Sequence, residues 1–97
     1  MAMYIVLLNF TDQGIRNVKD TTKRAKAFRE TAKKLGVTVK DIYWTLGQYD
    51  AVASLEAPDA ATVTALNLSL SALGNVRTQT LPAFSTEEMS GVLGKIT

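Results

Sequence analysis

Cysteine and histidine are both absent from the 97 residues. Without cysteine there can be no disulfide, no thiolate metal site and no thiol nucleophile. The missing histidine removes more: the usual general base near neutral pH and the commonest protein ligand for zinc, copper or haem iron. Any proton transfer would fall to a carboxylate, a tyrosine, a lysine or water. Accordingly, no metal and no cofactor is expected, and a sensor that works by histidine protonation is excluded. With only two prolines and six glycines, the chain contains no linker or low-complexity stretch, and it shows no internal repeat. No segment approaches the roughly 20 apolar residues needed to cross a bilayer. The opening Met1-Ala2-Met3-Tyr4 has no basic region before its short apolar run, which does not fit a secretory signal. The expected location is the cytoplasm, with no membrane partner.

What remains is an ordinary globular composition, 46% hydrophobic and 21% charged, on a length that suits one domain over residues 1–97. A chain this short buries only about two-thirds of its unfolded surface, so self-association would help it. The net charge of +2 conceals an asymmetry: eight of the eleven basic residues lie between Arg16 and Lys34, beside only Asp20 and Glu30. The one aromatic residue among these charges, Phe28, belongs to an apolar stripe and makes no base-stacking surface, so the segment reads as a solvated helix face and nucleic-acid binding is not expected.

Residues 3–10 are β-branched, aromatic and aliphatic and predict a strand apolar on both faces, with Tyr4, Val6, Leu8 and Phe10 on one and Ile5 and Leu7 on the other. A sheet covered on one side only should alternate with polar residues, so something must cover the second face. Thr11 to Gly14 reads as a turn into a long helix over about 15–35, with Val18, Thr22, Ala25, Phe28, Ala32 and Leu35 as its apolar stripe and Gly36 as its C-terminal cap. Strands are predicted over 37–46, 51–56 and 76–81, the first two joined by the hairpin Gly47-Gln48-Tyr49-Asp50 and the last closed by Pro82. A second helix begins near Pro58 and runs to about Leu73, and a terminal helix over about 86–94 starts at a Ser85 or Thr86 cap. The order β-α-β-β-α-β plus a tail helix is the ferredoxin-like α+β plan, with a four-stranded antiparallel sheet. From Ala60 to Val76 there is no charged residue, which predicts a helix covered on more than one side by a neighbouring subunit or by the tail. The two-faced strand and this helix together predict a homo-oligomer, a dimer or larger.

With its Gly47-Gln48-Tyr49-Asp50 hairpin, the chain resembles the GYD-domain proteins, small bacterial proteins named for a Gly-x-Tyr-Asp motif. Phe10-Thr11-Asp12-Gln13-Gly14-Ile15 resembles that family's opening block, and Leu73 to Leu81 with Ala83-Phe84 its closing block. The resemblance implies the dimeric α/β-barrel superfamily, a ferredoxin-like fold whose open sheet face packs on a partner, and it specifies no reaction. A similar hairpin and topology occur in the effector-sensing domain of leucine-responsive regulators, which implies a stand-alone small-molecule-sensing module.

The hairpin supplies the first candidate side chains. Gly47 suits a positive φ in the turn. Asp50 either caps the turn by accepting N–H bonds or serves as a ligand-binding or general-base carboxylate, and Tyr49 is either an interface aromatic or a hydroxyl aimed into a pocket. Arg77, the only cation between Lys40 and Lys95, is either paired with Asp50 or Glu56 or free as a clamp for a carboxylate or phosphate. Asn9, Trp44, Asn67 and Gln79 are candidate walls of a cleft between sheet and helices. No nucleophile–base–acid constellation is visible, since Ser69 and Ser71 have no base of the usual kind. The leading expectation is therefore a homo-oligomeric module that binds or senses an anionic small molecule. The alternatives are a cofactor-independent monooxygenase, isomerase or cyclase using Tyr49 and Asp50, and an assembly protein with no ligand.

Overall fold

The structure, a computed structural model, describes all residues from Met1 to Thr97. Four strands, β1 (Ala2–Phe10), β2 (Thr38–Trp44), β3 (Ala51–Ala57) and β4 (Val76–Ala83), form one antiparallel sheet in the order β2-β3-β1-β4. Helices α1 (Asp12–Arg16), α2 (Thr21–Lys34) and α3 (Ala60–Ala72) connect them, and α4 (Thr86–Leu93) is the tail. This is the ferredoxin-like arrangement that the element order predicts. The core lies on the helix side of the sheet, where Tyr4, Val6, Val39, Ala53, Leu55 and Ala57 meet Phe28 and Ala32 of α2 and Val63 and Leu66 of α3.

Several boundaries differ from expectation. The predicted first helix is two helices separated at Asn17 and a single 3₁₀ turn, Val18–Asp20. Asn17 leaves helical geometry at φ −106°, ψ 27°, and its side chain donates back to the Gln13 carbonyl at 3.0 Å. Such a local bond offers the backbone an alternative to continuing the helix. Of the apolar stripe, only Phe28 and Ala32 are buried, while Val18 and Leu35 stay exposed. The helical part of α3 starts at Ala60, two residues after Pro58. Asp59 caps it, accepting from the Thr62 N–H at 2.8 Å, and these bonds to Thr62 hold its carboxyl below the usual value. Pro82 does not close β4 but lies within it, opposite Tyr4. β4 is an edge strand, where a missing N–H on the outer side costs no ladder bond. At the tail, Ser85 and Glu88 form a reciprocal capping box.

The outer side of the sheet has no helix. Register places Met3, Ile5 and Leu7 of β1 beside Glu56, Ser54 and Val52 of β3 and beside Ala83, Leu81 and Gln79 of β4, with Tyr43 of β2 next to Val52. Tyr43 is 63% and Leu81 41% exposed. As the two-sided pattern of β1 implies, an apolar strip faces outward, and nothing within the chain covers it. Nor does the tail cover α3. No residue of α4 is buried, and Leu68 of α3 and Leu73 at its C-terminal cap are 65% and 66% exposed. The radius of gyration, 14.5 Å, exceeds the roughly 13 Å of a compact domain of about 100 residues.

Candidate functional site

Two places in the molecule bring polar groups together, and the sequence candidates divide between them. The first is the end of the sheet where β1 gives way to α1. The Asp50 carboxylate accepts the Phe10 N–H at 2.8 Å, and the Asp50 N–H donates to the Leu8 carbonyl at 2.9 Å. A side chain thus continues the β1–β3 ladder one step beyond the strand. Asn9 donates from its amide to the Gln48 carbonyl at 2.7 Å, and Thr45 donates from its hydroxyl to the Tyr49 carbonyl at 2.6 Å. Gly47 has φ 114°, the positive region that favours glycine. The Tyr49 hydroxyl donates to Gln79 Oε1 at 3.2 Å across the outer face. Arg77, opposite Asn9 in register, is exposed and makes no ion pair. The two carboxylates expected to pair with it are engaged elsewhere: Asp50 with Phe10, and Glu56 with Lys40 at 2.9 Å.

The opening and closing sequence blocks meet at the same end. Thr11 N–H donates to the Asn75 carbonyl at 3.1 Å, and Gln13 Nε2 donates to Leu73 O and Asn75 Oδ1, both at 3.1 Å. Gly14 is buried within α1, not in a turn, and a Cβ there would lie 1.9 Å from the Asn75 carbonyl oxygen. Glycine is required at this position by close approach, not by backbone conformation.

The second place is a cavity of about 320 Å³ between α2, α3 and the sheet, within the size range of small-molecule sites. Its floor draws on all four strands, with Leu8 and Phe10, Ile42 and Trp44, Ala51 and Ala53, and Val76. Helices supply Thr21, Arg24, Ala25 and Phe28 on one side and Leu66, Leu70 and Leu73 on the other. The space exists because Ala51, Ala53 and Ala25 stand where larger side chains would fill the layer, while a few residues along β3 Leu55 is fully buried. At one wall the Trp44 indole donates to Thr21 Oγ1 at 3.0 Å, linking the β2 edge to the start of α2. Arg24 Nη1 donates to the Asn17 carbonyl at 2.9 Å, whereas Nη2 is shut off from solvent without a hydrogen-bond partner. Leaving a charged donor unsatisfied costs on the order of 1–3 kcal/mol or more. Arg24 is the only ionisable side chain in the lining.

Of the seven candidate side chains, Trp44 alone lines this cavity. Asn9, Tyr49, Asp50 and Arg77 lie at the sheet end, with Gln79 bonded to Tyr49. Asn67 lies on the buried side of α3, where its Nδ2 donates to Thr80 Oγ1 of β4 at 2.6 Å and its Oδ1 has no partner. Arg24 was hidden in the sequence among eight basic residues of similar aspect. The signal that singles it out is position: it sits four residues before Phe28 and next to Ala25, on the apolar side of α2.

Comparison with known proteins extends the picture. The chain is 38% identical over 90 residues to a Thermus thermophilus protein named "Glutamine synthetase and cystathionine beta-lyase binding protein", covering 92% of this chain and 95% of that one. The crystal structure of TTHA0845, also from Thermus thermophilus, superposes with a TM-score of 0.57 at 26% identity, over 89% of this chain and 96% of the other. The sequence profile of the GYD domain matches residues 4–93, a span that contains the hairpin, the opening block and the closing block. The chain belongs to the GYD-domain family.

Proposed function

We propose that this protein is a non-catalytic module that binds a small molecule between its helices and its sheet. The observation that carries this reading is the cavity, about 320 Å³ in volume, walled by apolar side chains and containing one unsatisfied cation. Its lining includes no carboxylate, tyrosine or lysine, and therefore no group able to act as a general base. Tyr49 and Asp50, the residues an enzymatic reading would employ, are committed to Gln79 and Phe10 at the sheet end. In this reading the protein works in the cytoplasm as a homo-oligomer, its subunits joined through the outer sheet face, with Arg77 free there for a partner's carboxylate. The test is native mass spectrometry of the purified protein. A multiple of 10.5 kDa carrying a small additional mass is expected. That extra mass should vanish from Ala25→Phe, which fills the cavity. A wild-type protein with no retained mass and no thermal shift across a metabolite screen would overturn the reading.

A second reading is favoured by the relative's name and by the bare outer face: this chain binds enzymes such as glutamine synthetase or cystathionine β-lyase. The uncovered strip of Ile5, Leu7, Val52 and Leu81, bordered by Tyr43 and Arg77, has the mixture of aliphatic, aromatic and arginine side chains found at protein interfaces. The ligand cavity on the helix side is compatible with either use of the outer side, but that strip can be covered by a second subunit or by an enzyme partner and not by both at once.

A further inference from the structure

The cavity pairs an apolar wall with a single cation whose charge no side chain answers. Thr21 and Arg24 stand one turn apart on α2, and both line it. Arg24 Nη1 is held by the Asn17 carbonyl, which fixes the guanidinium and leaves Nη2 as the buried, unpartnered nitrogen. Thr21 Oγ1 accepts from the Trp44 indole, so its own O–H remains available as a second donor. A buried cationic donor of this kind calls for an anion. The rest of the lining, Ala25, Phe28, Ala51 and Ala53 among it, calls for hydrocarbon.

We propose that the cavity is a site for an apolar monocarboxylate, with its carboxylate on Arg24 Nη2 and Thr21 and its hydrocarbon body over Ala25, Ala51 and Ala53. One free guanidinium nitrogen and one hydroxyl match the single charge and two oxygens of a carboxylate. A phosphate dianion brings more charge and more acceptors than this wall has donors to satisfy. The inference rests on the reading of the cavity as a small-molecule site and adds the chemical class of the ligand. It places the anion contact at Arg24, on the helix side of the sheet, and not at Arg77 on the outer side.

The experiment is a pair of NMR titrations of the ¹⁵N-labelled full chain, with octanoate and with 1-octanol, which share an apolar body and differ in the head group. Both ligands should shift the amides of Ala25, Phe28, Ala51 and Ala53, with octanoate binding at least tenfold more tightly. The Arg24 side-chain Nε–Hε resonance should move with octanoate and stay in place with the alcohol. In Arg24→Met the preference should vanish while the affinity for octanol is kept. Equal binding of the two in the wild type, or an Arg24 resonance unmoved by octanoate, would sink the carboxylate assignment and leave the cavity reading standing. Silence of the cavity amides towards both ligands would remove the two readings together. The resonance measurement needs only the wild-type protein, so the inference stays testable even where Arg24→Met fails to fold.

Discussion

Asp50 illustrates how a motif residue with chemical potential can be used for architecture. Its carboxylate occupies the place of a strand carbonyl, accepting the Phe10 N–H at 2.8 Å. Asp50→Ala leaves that half-buried donor without a partner and should cost about 1–3 kcal/mol. At roughly 4–8 °C per kcal/mol for a domain this small, the loss is readily seen as a fall in melting temperature. Asp50→Asn retains an acceptor oxygen and should lose less than half as much. An asparagine variant as unstable as the alanine one would mean that charge, not the hydrogen bond, is what the position requires. The sequence allowed both a turn-capping role and a ligand role for Asp50. It could not reveal that the N–H to be capped lies 40 residues away, because nothing local marks that pairing. The same limit applies to Gly14, whose neighbour, the Asn75 carbonyl, is brought close only by the tertiary fold.

Among the elements, α4 depends most on its own local chemistry, since it buries no residue. Its start is secured by Ser85 and Glu88, which bond reciprocally at 2.9 and 3.1 Å. The bond from the Ser85 N–H, followed by that from its side chain, holds the Glu88 carboxyl below its ordinary value of 4.5. A depressed carboxyl contributes stability above the unfolded value and loses it as pH falls through the folded one. Amide exchange across residues 86–93 should therefore accelerate as pH falls from 4.5, after correction for the intrinsic exchange rate, while that of α2 is unaffected over the same window. Glu88→Gln should remove most of this acid sensitivity, and a profile identical to wild type would discount the capping box. Element types and order were legible because strand and helix periodicities are local properties, as is the Ser85 cap. The break at Asn17 and the passage of β4 through Pro82 were not. The passage through Pro82 depends on the edge position that the fold supplies, whereas the Asn17 break rests on a local bond to Gln13 that competes with the helix without disturbing its apolar periodicity.

For the whole molecule, the decisive feature is the sheet with helices on one side only. Leu7 and Val52 face each other at the centre of the bare side, and a lysine at either would place a charge in the proposed subunit interface. Native mass measurement should give a multiple of 10.5 kDa for the wild type and a single subunit for Leu7→Lys or Val52→Lys. In the second functional reading, the same variants also lose capture by immobilised glutamine synthetase. Persistence of the assembly in both variants would move the interface to another surface, with exposed Leu68 of α3 and Leu73 at its C-terminal cap next to be tested. The two-faced β1 made this open surface readable in advance. The cavity on the opposite side was not readable, because it arises from three alanines on two elements that are distant in sequence.

The junction at the end of β1 also bears on how the chain comes to be folded. β1 is synthesised before both of its neighbours in the sheet, residues 51–57 and 76–83, and the helix that follows it rests on Asn75. A strand apolar on both faces must therefore wait, unpaired, until most of the chain has left the ribosome. Contacts this distant in sequence close slowly. A ribosome-bound chain ending before residue 75 would lack β4 and the Asn75 latch together. Such a nascent chain would expose a strand that is apolar on both faces, so the proposed assembly, if formed during synthesis, would have to follow the emergence of β4.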